Sequence, residues 1–157
     1  MKNTNNNNIE NQDWIIHAVK NGLKCAVCGQ PINNMVCYAA NFHTHGMENY
    51  NHLDFQVVLN IDEQLACYIL DTFAKRVRAG ERFQDGDYVK GIFEDCDVRL
   101  DNFEEAGRQV LRVIIPDANN LFPGEEGCEV IPCIQLFETD ELYTHGDGTS
   151  CRCGNNS

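Results

Sequence analysis

A chain of 157 residues suits one domain and is long enough to bury a core without disulfide staples, and its apolar and charged fractions, 43% and 23%, are those of an ordinary globular protein. Twelve Lys and Arg stand against 24 Asp and Glu, a formal charge of −12, which argues against a nucleic-acid binder and leaves a basic protein or a small molecule as the expected partner. No apolar run approaches the roughly 20 residues that cross a bilayer, and the Asn-rich start has no apolar signal segment, so no membrane partner is expected and the expected compartment is the cytoplasm.

In that compartment the nine cysteines of this cysteine-rich chain read as thiols or metal ligands rather than disulfides. Residues 1–10 form a low-complexity tail that cannot order itself by burial. Trp14, Ile15, Ala18 and Val19 fall at helical spacing, so a short helix is predicted after Asn11 or Asp13, ending at Gly22. Cys25 and Cys28 in KCAVCGQPI have the spacing of a zinc knuckle, with two plain thiols as the equal alternative. Val36–Phe42 and Leu53–Leu59 are predicted strands, joined hairpin-like by the histidine-rich stretch Asn41–His52.

Asp62 is a good N-cap for the clearest helix. Leu65, Ile69, Phe73 and Val77 repeat every four residues, Lys75, Arg76 and Arg78 load the last turn, and Gly80 stops it. Cys67 is expected as a small buried hydrophobe on this helix. After the loops that follow it, Asp97–Phe103 alternates as a half-exposed strand and Arg108–Ile115 reads as a central one, halted by Pro116. Val130–Phe137 is a last strand or short helix, weakened by Pro132, and residues 144–157 form a flexible tail. Residues 11–143 are thus expected to make one α+β domain, a mainly antiparallel sheet packed against one long amphipathic helix.

Candidate chemistry gathers at the histidine loop. In an extended backbone His43 and His45 share a face, Gly46 permits a sharp departure, and His52 arrives from the far end. His45 and His52 beside Asp54 have the groups for general acid–base work or metal ligation, but holding the loop by main-chain hydrogen bonds is the favoured reading. His43 is better read as a strand residue with a binding role than as a ligand. Arg108 and Arg112 share a strand face, where they meet an anionic ligand or pair with carboxylates, and the acid excess favours pairing. Asp117 begins a loop, a place for a binding group, though an Asx turn is slightly preferred. The close pairs CAVCG and CRCG suggest one structural zinc on Cys25, Cys28, Cys151 and Cys153, with Cys128 and Cys133 competing as the second pair.

The phrases FHTHGMENYNHLDFQVVLNI, RVRAGERFQDGD, EDCDVRL and RQVLRVIIPDANNLFPGEEGC, in that order, resemble the bacterial domain-of-unknown-function family 4262 (DUF family 4262). Thr44, His45, Gly46 and Met47 stand at the family's Thr-His-Gly-Leu or Thr-Val-Gly-Leu turn, and His52, Leu53 and Asp54 at its His-Pro-Glu-like step. Ala79, Gly80 and Glu81 follow at its Ala-Gly-Glu, and Pro116, Asp117, Phe122 and Pro123 at its late Pro-Asp and Phe-Pro pairs. Met47, Leu53 and Asp54 depart from the pattern, and Leu53 for proline changes the expected turn. The resemblance spans roughly residues 36–137 and implies a single fold and a bacterial origin, but no mechanism. The functional expectation is a non-enzymatic binding or interaction domain stabilised by zinc. The alternative is a small His-dependent hydrolase or metal-dependent enzyme built on residues 43–52.

Overall fold

The computed structural model describes residues 13–20, 23–24, 31–32, 35–36 and 38–143. Strands β1 (Ile15–Val19), β2 (Leu23–Lys24), β3 (Pro31–Ile32), β4 (Ala39–His45) and β5 (Asp54–Leu59) precede the helix α1 (Glu63–Arg78). Strands β6 (Tyr88–Val89), β7 (Val98–Glu105) and β8 (Arg108–Ile114) follow it, and short 3-10 turns occupy Met47–Tyr50, Ile131–Leu136 and Thr139–Leu142. β2 and β3 pair as a separate ribbon, and the other six strands form one sheet in the order β1-β4-β5-β8-β7-β6.

The class is α+β as expected, but the sheet is mixed. Four neighbouring pairs are antiparallel, while β5 and β8 at its centre run parallel. A parallel pair needs a crossover. α1 supplies it by carrying the chain back over one face, and the β7–β8 hairpin then places β8 inward against β5. The buried residues of β8, Val110 to Ile114, suit that central position.

α1 forms as its sequence requires. The Asp62 side chain accepts from the Gln64 N–H at 3.2 Å, cations fill the last turn, and Gly80 follows the C-cap with φ +111°. Its buried stripe, Ala66, Ile69, Leu70, Phe73, Ala74 and Val77, packs on Phe42, Phe55, Val57, Leu100, Leu111 and Val113 of the sheet. Phe55 stacks on Phe73 with centroids 4.9 Å apart, and Phe83 stands edge-on to both. Each such ring or branched side chain contributes about 1.5–3 kcal/mol by leaving water. Cys67 lies on the helix flank and is half-buried instead of joining this core.

The other sheet face is polar. Alternation puts Asn41, His43 and His45 of β4 there with Asp54 and Gln56 of β5, Arg108 and Arg112 of β8, and Asp101 and Glu105 of β7. The chain after β8 covers part of it, and Phe137, Leu142 and Tyr143 make a second small apolar cluster with Met35, Val36, Ala39 and Val58.

Two predicted elements differ. The segment from Trp14 is strand β1, not a helix. Residues four apart share a face with either period, and Ile15, Ile16 and Val19 are β-branched, which favours the strand once β4 offers a ladder. The strand predicted at Val36–Phe42 begins at Ala39 and runs on through His45, so the first two loop histidines belong to a rigid element. Of the two alternatives for Val130–Phe137 the short helix forms, a 3-10 helix over Ile131–Leu136 with Pro132 near its start, where a missing N–H costs nothing. The expected tails at 1–10 and 144–157 lie outside the described residues.

Gly46 makes the turn out of β4 with φ +126°, and a Cβ there would lie 2.8 Å from Trp14 Cα and closer still to the Asp13 carbonyl oxygen. Asn49 and Tyr50 in the next turn both bond Asp13, so that segment has no freedom to retreat. Gly80 also has positive φ, but its missing Cβ would face open space. Gly46→Ala is expected to cost roughly 3 kcal/mol or more, backbone strain plus overpacking, against about 1–2 kcal/mol for Gly80→Ala. Chemical denaturation measures both, and equal losses would remove the steric argument.

Candidate functional site

The antiparallel register of β1 and β4 sets His17 directly opposite His43, with His45 two residues along on the same face. The three imidazoles meet nearly at right angles. Centroids are 5.5 Å apart for His17–His43 and 4.9 Å for each of the other two pairs. One ring nitrogen from each lies within 4.8 Å of the other two. Tetrahedral zinc with Zn–N bonds of about 2.0–2.1 Å sets its nitrogens about 3.4 Å apart, a contraction that side-chain rotation supplies. His43 is buried, His45 half-buried and His17 exposed, so the cluster is closed beneath and open above.

Burial is the main reason that the His43 pKa falls from 6.5 to about 4. Glu105 opposes it, while His45, Arg108 and His17 add to it. His45 is lowered too, by burial first, then by Arg108 and His17, against Asp54 and Glu105. Both rings are therefore neutral at neutral pH, the form that ligates metal. His43 Nδ1 is 3.0 Å from Asn41 Oδ1, and its Nε2 is 3.8 Å from Glu105 Oε1.

Asp54, Arg108 and Glu105 tie three strands together beside the cluster. Arg108 Nη1 donates to Asp54 Oδ2 at 2.6 Å, its Nε and Nη2 donate to Glu105 Oε1 at 3.1 and 3.0 Å, and Nη2 also reaches Thr44 O. The other Asp54 oxygen accepts from the Thr44 hydroxyl at 2.7 Å and the Met47 N–H at 3.1 Å. An open pocket of about 350 Å³ beside them is lined by His45, Glu48, His52, Asp54 and Arg108 among others.

His52 thus shares a pocket with His45 and Asp54 but does not join the imidazole cluster. Its Nε2 accepts from the Phe83 N–H at 3.0 Å, its Nδ1 is 2.8 Å from Leu53 O, and its ring stacks on Phe55. The cluster's third member is His17, which the helix predicted after Asp13 would not have set opposite His43. Its one signal was an imidazole inside the β-branched run IIHAV.

Arg108 and Arg112 do share a face, but only Arg108 pairs with carboxylates. Arg112 is fully buried. It donates to Gln56 Oε1 at 2.8 Å, to the carbonyls of Gln135 and Phe137, and to Thr139 Oγ1 at 3.1 Å, with the Phe103 ring 3.6 Å away. Asp117 accepts from the N–H groups of Asn119, Leu121 and Glu129 and ties its loop together, and the Leu121, Glu129 and Asn119 donors hold its carboxyl below the usual range. Cys128 and Cys133 donate to the Leu121 and Glu129 carbonyls, and burial pushes the Cys128 thiol up to about 11. Cys25, Cys28, Cys151 and Cys153 lie outside the described residues.

A native His43 that refuses a proton until about pH 4 makes stability depend on pH. Between 6.5 and 4 the unfolded chain binds that proton and the folded one does not, so stability falls as pH drops through this window. Denaturation of the metal-free protein at pH 7 and pH 5 should show a smaller difference for His43→Asn than for the parent. Equal pH dependence in the two would contradict a buried neutral His43.

A family model, described as Domain of unknown function (DUF4262), matches residues 8–129. No curated protein and no solved structure matches the chain. The matched span reaches back beyond the resemblance read from motifs and takes in β1, so all three clustered histidines fall inside it. It covers most of the chain, which belongs to the DUF4262 family.

Proposed function

We propose that this protein binds a divalent transition-metal ion through His17, His43 and His45. The observation that carries the reading is the convergence of three imidazole nitrogens within 4.8 Å on two paired strands, whose register brings the rings together. Imidazole suits zinc, copper, iron and nickel. Three neutral ligands leave the ion's charge uncompensated, and the acidic surroundings, Glu105 and Asp54 against Arg108, favour a cation. Three protein ligands with an exposed side match a site that keeps an open position, in contrast to a closed four-thiolate site.

A binding domain needs nothing more. The open position is also where a metal-dependent enzyme would hold an activated water, so an enzymatic role would use the same ion. A bacterial origin, a cytoplasmic compartment and a basic or small-molecule partner belong to this reading, as does a second, structural zinc on Cys25, Cys28, Cys151 and Cys153. No helix among the described residues is long and apolar enough to cross a membrane.

Titration calorimetry with Zn²⁺ and absorption spectroscopy with Co²⁺ test the proposal. One equivalent should bind without a thiolate-to-cobalt charge-transfer band, separate from any equivalent at the cysteines that shows one, and His43→Gln or His45→Gln should weaken that histidine-bound equivalent on the order of 100-fold by removing a ligand outright. Unchanged affinity in both variants would refute the histidine site. If all bound cobalt showed thiolate bands, the cysteines would be the ligands instead.

A further inference from the structure

The polar face carries an unbroken row of cross-strand neighbours. His17 lies opposite His43, His43 opposite Gln56, Gln56 opposite Arg112, and Arg112 opposite Asp101. We infer that Arg112, Gln56 and Asn41 are positioning residues that lock His43 in the tautomer with Nδ1 protonated, so that Nε2 is the nitrogen it offers to a metal.

The Arg112 guanidinium can only donate. Arg112 Nε lies 2.8 Å from the Gln56 side chain, and a guanidinium has no acceptor, so the Gln56 carbonyl oxygen must face it. The Gln56 NH₂ then faces Asn41 at 3.0 Å and needs an acceptor there, which sets Asn41 with Oδ1 toward Gln56 and NH₂ toward the Tyr143 hydroxyl at 3.0 Å. That same Asn41 Oδ1 is 3.0 Å from His43 Nδ1, so Nδ1 must carry the hydrogen. Each orientation forces the next.

Burial keeps the chain from being bypassed. Asn41, His43, Gln56 and Arg112 are each at most 4% exposed, so water cannot substitute for a wrongly turned amide. Among the described residues no buried side-chain nitrogen or oxygen lacks a partner. On the far side of the ring, the unprotonated Nε2 lies 3.8 Å from Glu105 Oε1, an acceptor facing an acceptor. A cation among the histidines relieves that opposition. Metal-bound histidines in general depend on such a partner at the other nitrogen to fix their tautomer.

The link to metal rests on the proposed function, but the tautomer does not, and it can be read without metal. Long-range ¹H–¹⁵N correlation on metal-free protein above pH 7 distinguishes the two ring nitrogens. The wild type should show Nδ1 protonated and Nε2 unprotonated at His43. Gln56→Glu and Asn41→Asp each add one negative charge to the row, so charge alone would tighten cation binding in both. The lock predicts opposite outcomes. In Asn41→Asp an acceptor still faces Nδ1, so the tautomer and the affinity are retained or improved. In Gln56→Glu, Asn41 must turn its NH₂ toward the new carboxylate and His43, the proton moves to Nε2, and Zn²⁺ affinity falls about 10–100-fold.

An Nε2-protonated wild type, or a Gln56→Glu protein that keeps the wild-type tautomer, would overturn the inference. The wild-type measurement decides it even if Gln56→Glu does not fold. Nδ1 protonation in a protein that takes up no metal would support the lock and refute the metal-binding reading alone.

Discussion

Arg112 sits in the middle of β8 with no exposed surface, and a cation in that place dictates what its neighbours are. Burial pulls its pKa down to about 10, which still leaves it charged at neutral pH. Bulk solvent does not reach it, so its N–H groups turn to acceptors of the protein, and an unpaired buried charge would cost several kcal/mol. Two of its acceptors are the carbonyls of Gln135 and Phe137, main-chain groups of the segment that covers the sheet. The guanidinium therefore fastens the cover to the sheet while it orients Gln56 on the opposite side. Removing it would loosen both.

The two faces of the sheet divide the work between them. The α1 face is apolar, stacked and closed, and it supplies most of the burial that stabilises the fold. The polar face is assembled from hydrogen bonds and ion pairs that demand particular orientations, and a satisfied polar network specifies geometry better than an apolar one does. The imidazole cluster stands at the end of that network, half covered, on β1 at the sheet's edge and its neighbour β4.

The excess of acid has a local counterpart. Arg108 offsets Asp54 and Glu105 only in part, which leaves the pocket beside His45 mildly negative. Such a setting holds a metal cation more readily than an anionic ligand. It also keeps Arg108 engaged on three sides, as an anchor between strands more than as a free anion receptor.

How much was legible in the amino-acid order depends on the range of the interaction involved. The Asp62 cap, the four-residue repeat from Leu65 to Val77 and Gly80 act within a few residues, so α1 could be read directly, as could the alternation that puts Arg108 and Arg112 on one face. The five residues of β1 were too few to separate the two periods, because a step of four suits both a helix and a strand. Which imidazole joins His43 and His45 was beyond local reading. His52 lies closer in sequence, yet the Phe83 amide and the Leu53 carbonyl hold it elsewhere, whereas His17 arrives through the β1–β4 register. The parallel β5–β8 junction likewise exists only because a helix and a hairpin intervene and return the chain. Local order determined α1, the strands β5, β7 and β8, and their polar and apolar faces. The partners across the sheet, and with them the histidine cluster, were decided by tertiary pairing, because a ladder's register is set by the packing of distant segments and not by the residues of either strand alone.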